Sequence, residues 1–173
     1  MKTNDKKTHF YTGNGKGKTT AAIGLAIRAA GAGMKVYFAQ FVKGMKYSEY
    51  DLLNNIENIE VHLFGTECFI NKTPEKEDVL AAQNGLKTVA DIVRSEKYDM
   101  VILDEIFIAL YYKLVDQQQL IDLLTSKPPS VELVLTGRYA PKELYHLADL
   151  ITEMEEVKHY YNDGVLSRKG IDC

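Results

Sequence analysis

No stretch of this chain stays apolar for the ~20 residues that a membrane-spanning helix needs, so a spanning protein is not expected. The opening residues, MKTNDKKTHF, carry lysines with no apolar run behind them, and a secretory leader is not expected either. Cysteine is scarce. Cys68 and Cys173 stand far apart and form no C-x-x-C, which argues against a disulfide framework and against a cysteine-rich zinc site. Cys173 is the last residue and cannot head a prenylation box. These absences point to the cytoplasm. There is no basic excess: 21 lysines and arginines face 24 acidic residues, a net charge of −3. That balance does not suit a long contact with phosphate backbone, so nucleic acid is not the expected partner. Tryptophan is missing altogether, and 11 tyrosines supply most of the aromatic area. No Ser/His/Asp or Cys/His constellation is visible. His9, His62 and His146 lie apart, without metal-ligand spacing. Internal repeats and low-complexity linkers are also lacking.

What remains is a chain of 173 residues, 46% hydrophobic, which is the length and composition of one folded domain. Residues 1–7 read as a short flexible tail, with Lys2, Lys6 and Lys7 in solvent, and residues 8–173 as a single domain. Strand-like runs fall at Thr8–Thr12, Lys35–Phe41, Ile59–Phe64, Tyr98–Leu103, Val131–Thr136 and Leu150–Met154. Helical patterns fall between them. Lys18–Ala30 is apolar on nearly all sides, which predicts a buried helix, with Gly31 and Gly33 stopping it. Thr73 and Pro74 predict the start of a helix whose apolar positions, from Val79 to Val93, share one face. Gln117–Leu124 and Lys142–Ala148 are shorter. Strands alternating with helices predict an α/β fold, a mostly parallel sheet with helices on both faces. Ligands of such sheets bind at the carboxyl ends of the strands.

The stretch Thr12–Thr20, TGNGKGKTT, follows a strand and opens a helix. That is the context of a phosphate-binding loop. Glycines let backbone N–H groups turn around an anion, and the helix beginning at Lys18 adds free N–H groups and its positive dipole end. Lys18 can reach phosphate oxygens, and the Thr19 hydroxyl can serve Mg²⁺. The usual pattern, G-x-x-x-x-G-K-[ST], places a glycine where this chain has Thr12. A dinucleotide fingerprint is not met.

Three further strand ends belong to the same rim. Met100–Glu105, MVILDE, is an apolar run closed by two acids and resembles a Walker B element, in which a carboxylate holds Mg²⁺ directly or through water. Spacing alone does not decide between Asp104 and Glu105. Thr136-Gly137-Arg138 puts a permanently charged fork where phosphate oxygens would lie. Lys43, in the QFVKG run that begins at Gln40, is placed equally well as an anion ligand or as a solvated lysine. Tyr111-Tyr112 and Tyr160-Tyr161 suit packing or a dimer contact better than a ligand face.

Taken in order, TGNGKGKTTAA, QFVKG, VILDE, LTGR, ADLITEM and the tail VKHYYNDGVLSRKGID resemble the P-loop class of ATP:corrinoid adenosyltransferases, from about Thr8 to Asp172. The resemblance implies a P-loop NTPase fold of the RecA-like kind. It implies that ATP binds with Mg²⁺ in an orientation reversed from that of ordinary P-loop enzymes. Co(I) of a reduced corrinoid attacks C5′ of the ribose, and the whole triphosphate leaves. ATP would then be bound by Thr12, Gly13, Asn14, Gly15, Lys16, Gly17, Lys18, Thr19, Thr20 and Arg138. Thr19 and Glu105, with Asp104 beside it, would hold Mg²⁺. Lys18 and Glu105 would carry the catalytic charge stabilisation. No general base is needed, because Co(I) brings its own electron pair.

In the resembling family, aromatic residues after the third strand displace the lower cobalt ligand and so ease reduction. The matching stretch here is Gly65–Ile70, where Ile70 stands in the place of a common tryptophan. Phe69 becomes the candidate for that role, with Cys68 and His159 as further corrinoid-side residues. An electron-donating reductase and a homodimer are implied as partners. Some members carry a longer N-terminal segment over the site, so a more open site or a different cover is expected here. Two rival readings share the loop: a P-loop phosphoryl-transfer kinase and a nucleotide-switched ATP-binding protein. Neither accounts for the tail VKHYYNDGVLSRKGID.

Overall fold

The computed structural model describes residues 5–42, 44, 47–65 and 74–172. Its strands are β1 (Thr8–Thr12), β2 (Val36–Phe41), β3 (Ile59–Phe64), β4 (Met100–Asp104), β5 (Glu132–Thr136) and β6 (Leu150–Glu153). They form one parallel sheet in the order β3-β2-β4-β5-β1-β6. The α-helices are α1 (Lys18–Gly31), α2 (Ser48–Asn54), α3 (Lys76–Ser95), α4 (Ile106–Tyr111) and α5 (Gln117–Ser126).

The central strands are buried along their whole length, which is why VYFAQF and MVILD read as continuous apolar runs rather than alternating ones. Alternation decides only which face each side chain serves. Val36, Phe38, Met100, Ile102 and Val134 pack with Ala22, Ala26 and Ala29 of α1 and Leu53 of α2. Tyr37, Ala39, Val101, Leu103, Leu133 and Leu135 pack with α3, α4 and α5 on the other face. The expected α/β layering is therefore present.

Helix α1 departs from the reading above. Only one face is buried, through small alanines, and Ile27 is 46% exposed. The alanines bring the helix close to the sheet, and the large residues are left at its flank. Helix α3 starts later than expected. Glu75 is its N-cap, and the Asp78 carboxylate accepts a 2.9 Å bond from the Glu75 N–H. Thr73 lies outside the described residues. Lys142–Leu147 is a 3₁₀ helix, and α2 and α4 were not expected.

The start of the chain is more tightly held than a solvated tail. Lys6 Nζ donates to Asp99 Oδ1 at 2.7 Å, and the Lys7 N–H to Glu132 at 2.8 Å. Lys2 lies outside the described residues. Because every strand is parallel, all carboxyl ends meet at one rim. Register sets Gln40 beside Asp104, Tyr11 beside Thr136 and Thr12 beside Glu153.

Candidate functional site

The glycines of the loop are explained first by their neighbours. The chain leaving β6 runs directly over the loop: the Gly15 N–H donates to Met154 O at 2.7 Å, and the Met154 N–H to Thr12 O at 2.8 Å. A Cβ at Gly13, whose φ is 96°, would sit 2.3 Å from Met154 O, and one at Gly15 would sit 2.8 Å from Glu155 O. Only glycine allows that approach. Gly17, at φ 116°, turns the chain into α1. The first N–H groups of α1 are thereby brought to the rim, with the helix dipole behind them.

A cleft of about 700 Å³ opens over this turn. Gly15, Lys16, Gly17, Lys18, Thr19 and Thr20 form its floor, and Glu105 and Arg138 enter from the ends of β4 and β5. Thr12, Gly13 and Asn14 do not line it. The Thr12 hydroxyl instead accepts from the Ala140 N–H at 3.3 Å, tying the loop to the chain beyond β5. Lys18 is 6% exposed and folds back on its own loop, donating to Gly13 O at 2.8 Å and Gly15 O at 2.6 Å. Burial pushes the Lys18 ammonium pKa down and nearby Arg138 adds to that, while Glu105 and Asp104 oppose it.

Asp104 and Glu105 are adjacent in sequence and differ in exposure. Asp104 is fully buried. Its Oδ1 accepts from the Thr19 hydroxyl at 2.9 Å and from the Thr136 hydroxyl at 2.7 Å. Gln40 Nε2 reaches its Oδ2 at 3.4 Å, and Glu49 Oε1 at the same distance. Glu105 takes the left-handed conformation, φ 60°, at the start of α4 and lines the cleft. Its own N–H donates to Thr136 Oγ1 at 2.9 Å. Thr136 therefore joins both acids, a role that reading TGR for its arginine missed. Its place at the end of a buried strand was the available signal. Gln40 was equally legible at the end of QF, one strand from Asp104. Glu49 belongs to an unforeseen helix and carried no signal.

The donors at Thr19, Asp104 and Glu105 are all hard oxygens, the chemistry that Mg²⁺ prefers. Among the described residues no group of three His, Cys, Asp or Glu forms a metal cage. A cation bridged by nucleotide phosphates does not need one, since one or two protein oxygens suffice.

The far wall comes from the tail. His159, Gly170, Ile171 and Asp172 face the cleft. His159 Nδ1 accepts from the Tyr161 N–H at 3.0 Å, and its ring lies 4.6 Å from that of Tyr160. Tyr112 and Tyr139 also line the cleft, and the Tyr111 ring lies 4.3 Å from that of Tyr139, tilted by 31°. Cys68, Phe69 and Ile70 lie outside the described residues, as does Lys43.

The family model described as ATP:corrinoid adenosyltransferase BtuR/CobO/CobP matches residues 4–173. A corrinoid adenosyltransferase of a Sinorhizobium species is 37% identical over 93% of this chain and 77% of its own. The corrinoid adenosyltransferase CobA of Salmonella typhimurium is 35% identical over 94% of this chain and 83% of its own. Among solved structures, a KaiC-like protein of Pyrococcus horikoshii superposes with a TM-score of 0.56 at 19% identity, covering 88% of this chain and 74% of that one. That likeness concerns the fold.

Proposed function

The chain belongs to the ATP:corrinoid adenosyltransferases, enzymes that transfer the adenosyl group of ATP to a corrinoid in cobalamin metabolism, and we propose how its residues divide that work. The observation that carries the assignment is the joining of the loop, Glu105 and the tail around one cleft, with Asp104 buried beneath Thr19. ATP lays its triphosphate along Gly15–Thr20, where the free N–H groups at the start of α1 meet the anion. Lys18 leaves its carbonyl partners for phosphate oxygens, and Arg138 supports them from β5. Thr12 and Gly13 act from behind, by holding the loop against the chain that leaves β6, and Asn14 lies between them and the cleft floor in sequence.

The bond formed joins cobalt to C5′ of the ribose, with both electrons from Co(I). The bond broken joins C5′ to the triphosphate oxygen, which keeps its electron pair. Negative charge grows on that leaving group, so fixed positive charge at Lys18 and the N–H groups of α1 lower the barrier. No proton has to move. Thr19 and Glu105 would hold Mg²⁺, with Asp104 orienting the Thr19 hydroxyl from beneath. When bound, the cation adds charge to the same oxygens.

His159, with Phe69 and Cys68, is assigned to the corrinoid side. The cobalt must arrive as Co(I), which calls for an electron-donating reductase as partner. A homodimer is proposed as well. The edge strand β6 is exposed along its whole length and presents Leu150 and Ile151, which suits pairing with a second copy.

The test is anaerobic turnover of chemically reduced cob(I)alamin with ATP, followed by the corrin spectrum, with and without chelator. Thr19→Ala and Glu105→Gln should each cut kcat/KM by at least roughly a hundredfold and blunt the response to added Mg²⁺. Variants that turn over like the parent, with the same metal response, would remove the metal assignment.

A further inference from the structure

The cleft holds a second lysine, one that a phosphate loop does not require. Lys16 stands before Gly17 on the floor of the site, yet it points to the tail. Its ammonium pairs with the Asp172 carboxylate and donates to Ile171 O at 2.8 Å and to the Tyr160 hydroxyl at 3.0 Å. Tyr160 in turn donates to Asp172 Oδ1 at 2.5 Å. Arg168 frames the other oxygen: its N–H donates to Asp172 Oδ2 at 3.0 Å, its Nε lies 3.7 Å away, and its guanidinium sits 4.6 Å from the Tyr160 ring. Asp172 lines the same cleft as Lys18, Thr19 and Arg138.

A carboxylate held by a loop lysine and a hydroxyl takes the place a phosphate oxygen would take. Left there beside a bound triphosphate, it would face like charge. We propose that Asp172 is an internal stand-in for phosphate on Lys16: the triphosphate takes Lys16 over, and Asp172 passes to Arg168, which already touches its second oxygen. Asp172 thus sets ATP affinity, and the end of the tail moves when the nucleotide enters. This rests on the reading that ATP occupies the loop. The bond from Lys16, first among its causes, holds the Asp172 carboxyl pKa below the usual carboxylate range, which agrees with a group that stays charged in this arrangement.

The experiment is calorimetric titration of ATP with Mg²⁺, without corrinoid, into the parent, Asp172→Asn, Lys16→Met and the double variant. Circular dichroism confirms that each is folded. Asp172→Asn should bind ATP roughly three- to tenfold more tightly, because the internal competitor is gone. In the Lys16→Met background the same change should have no effect. Weaker or unchanged binding by Asp172→Asn would overturn the proposal, and so would an equal gain with Lys16 absent, which would mean plain removal of negative charge. No binding of ATP by the parent would instead overturn the assignment of the loop.

Discussion

Thr19 and Thr136 meet at a single atom: both hydroxyls donate to Oδ1 of Asp104, at 2.9 and 2.7 Å. One comes from the helix that follows the phosphate loop and the other from the end of β5, two elements far apart in sequence. Their meeting ties the start of α1 to the ends of β4 and β5. Thr136 also takes the Glu105 N–H, so it fixes the backbone of the second acid.

Thr136→Val keeps the shape and removes those bonds. A buried carboxylate would lose a donor, which costs about 1–3 kcal/mol for such a group, and a half-buried N–H would lose its acceptor. Urea unfolding should show a loss of that size. Turnover should fall further than stability explains, because Glu105 loses its anchor. Thr136→Ser, which keeps the hydroxyl, should recover most of both.

Two glycines should respond in opposite directions. At Gly13 an added methyl would meet Met154 O at 2.3 Å, in a backbone region that side chains avoid. Gly13→Ala should therefore destabilise by at least about 1–3 kcal/mol and weaken ATP binding by distorting the loop. At Gly24, inside α1, an added methyl meets nothing within 4 Å. Gly24→Ala should stabilise by about 0.5–1 kcal/mol with ATP binding unchanged. Thermal melts and ATP titrations of the two variants side by side give both answers.

The lack of tryptophan leaves tyrosinate absorbance easy to read, and Tyr37 and Tyr98 are among the tyrosines that should ionise late. Burial, aided by Glu60, pushes the Tyr37 hydroxyl up to about 12. Burial also raises Tyr98, whose hydroxyl donates to the Glu60 carboxylate. The folded state keeps protons that the unfolded chain gives up near pH 10. Stability from these groups is thus full below about pH 10 and is lost as pH rises through the folded value. Spectrophotometric titration should show a late, cooperative step that coincides with unfolding. Tyr98→Phe should shrink that step and flatten the alkaline slope of stability.

The sheet was legible because its strands are short apolar runs between glycine, proline and acidic punctuation, and all six were anticipated to within two residues at either end. Helix α3 was legible by its stripe. Helix α4 was not: IFIALY is buried and short, and such a run does not reveal its period. Helix α2 packs mainly through Leu53 and gave no stripe to read. At the site, TGNGKGKTT and VILDE announced their positions, since loop and strand end carry their chemistry in adjacent residues. The pairing of Lys16 with Asp172, and of Gly15 with Met154, depends on how the end of the chain folds back. Contacts between residues so distant in sequence leave no local pattern.

The most direct test of the account is the identity of the phosphate released. ATP, Mg²⁺ and chemically reduced cob(I)alamin would be mixed with the protein without oxygen, and phosphorus NMR would follow the products as the corrin spectrum reports on cobalt. The account predicts one intact triphosphate for each adenosylated corrinoid, with no ADP above the background of the Glu105→Gln variant. ADP formed while the corrinoid stays unalkylated would contradict it.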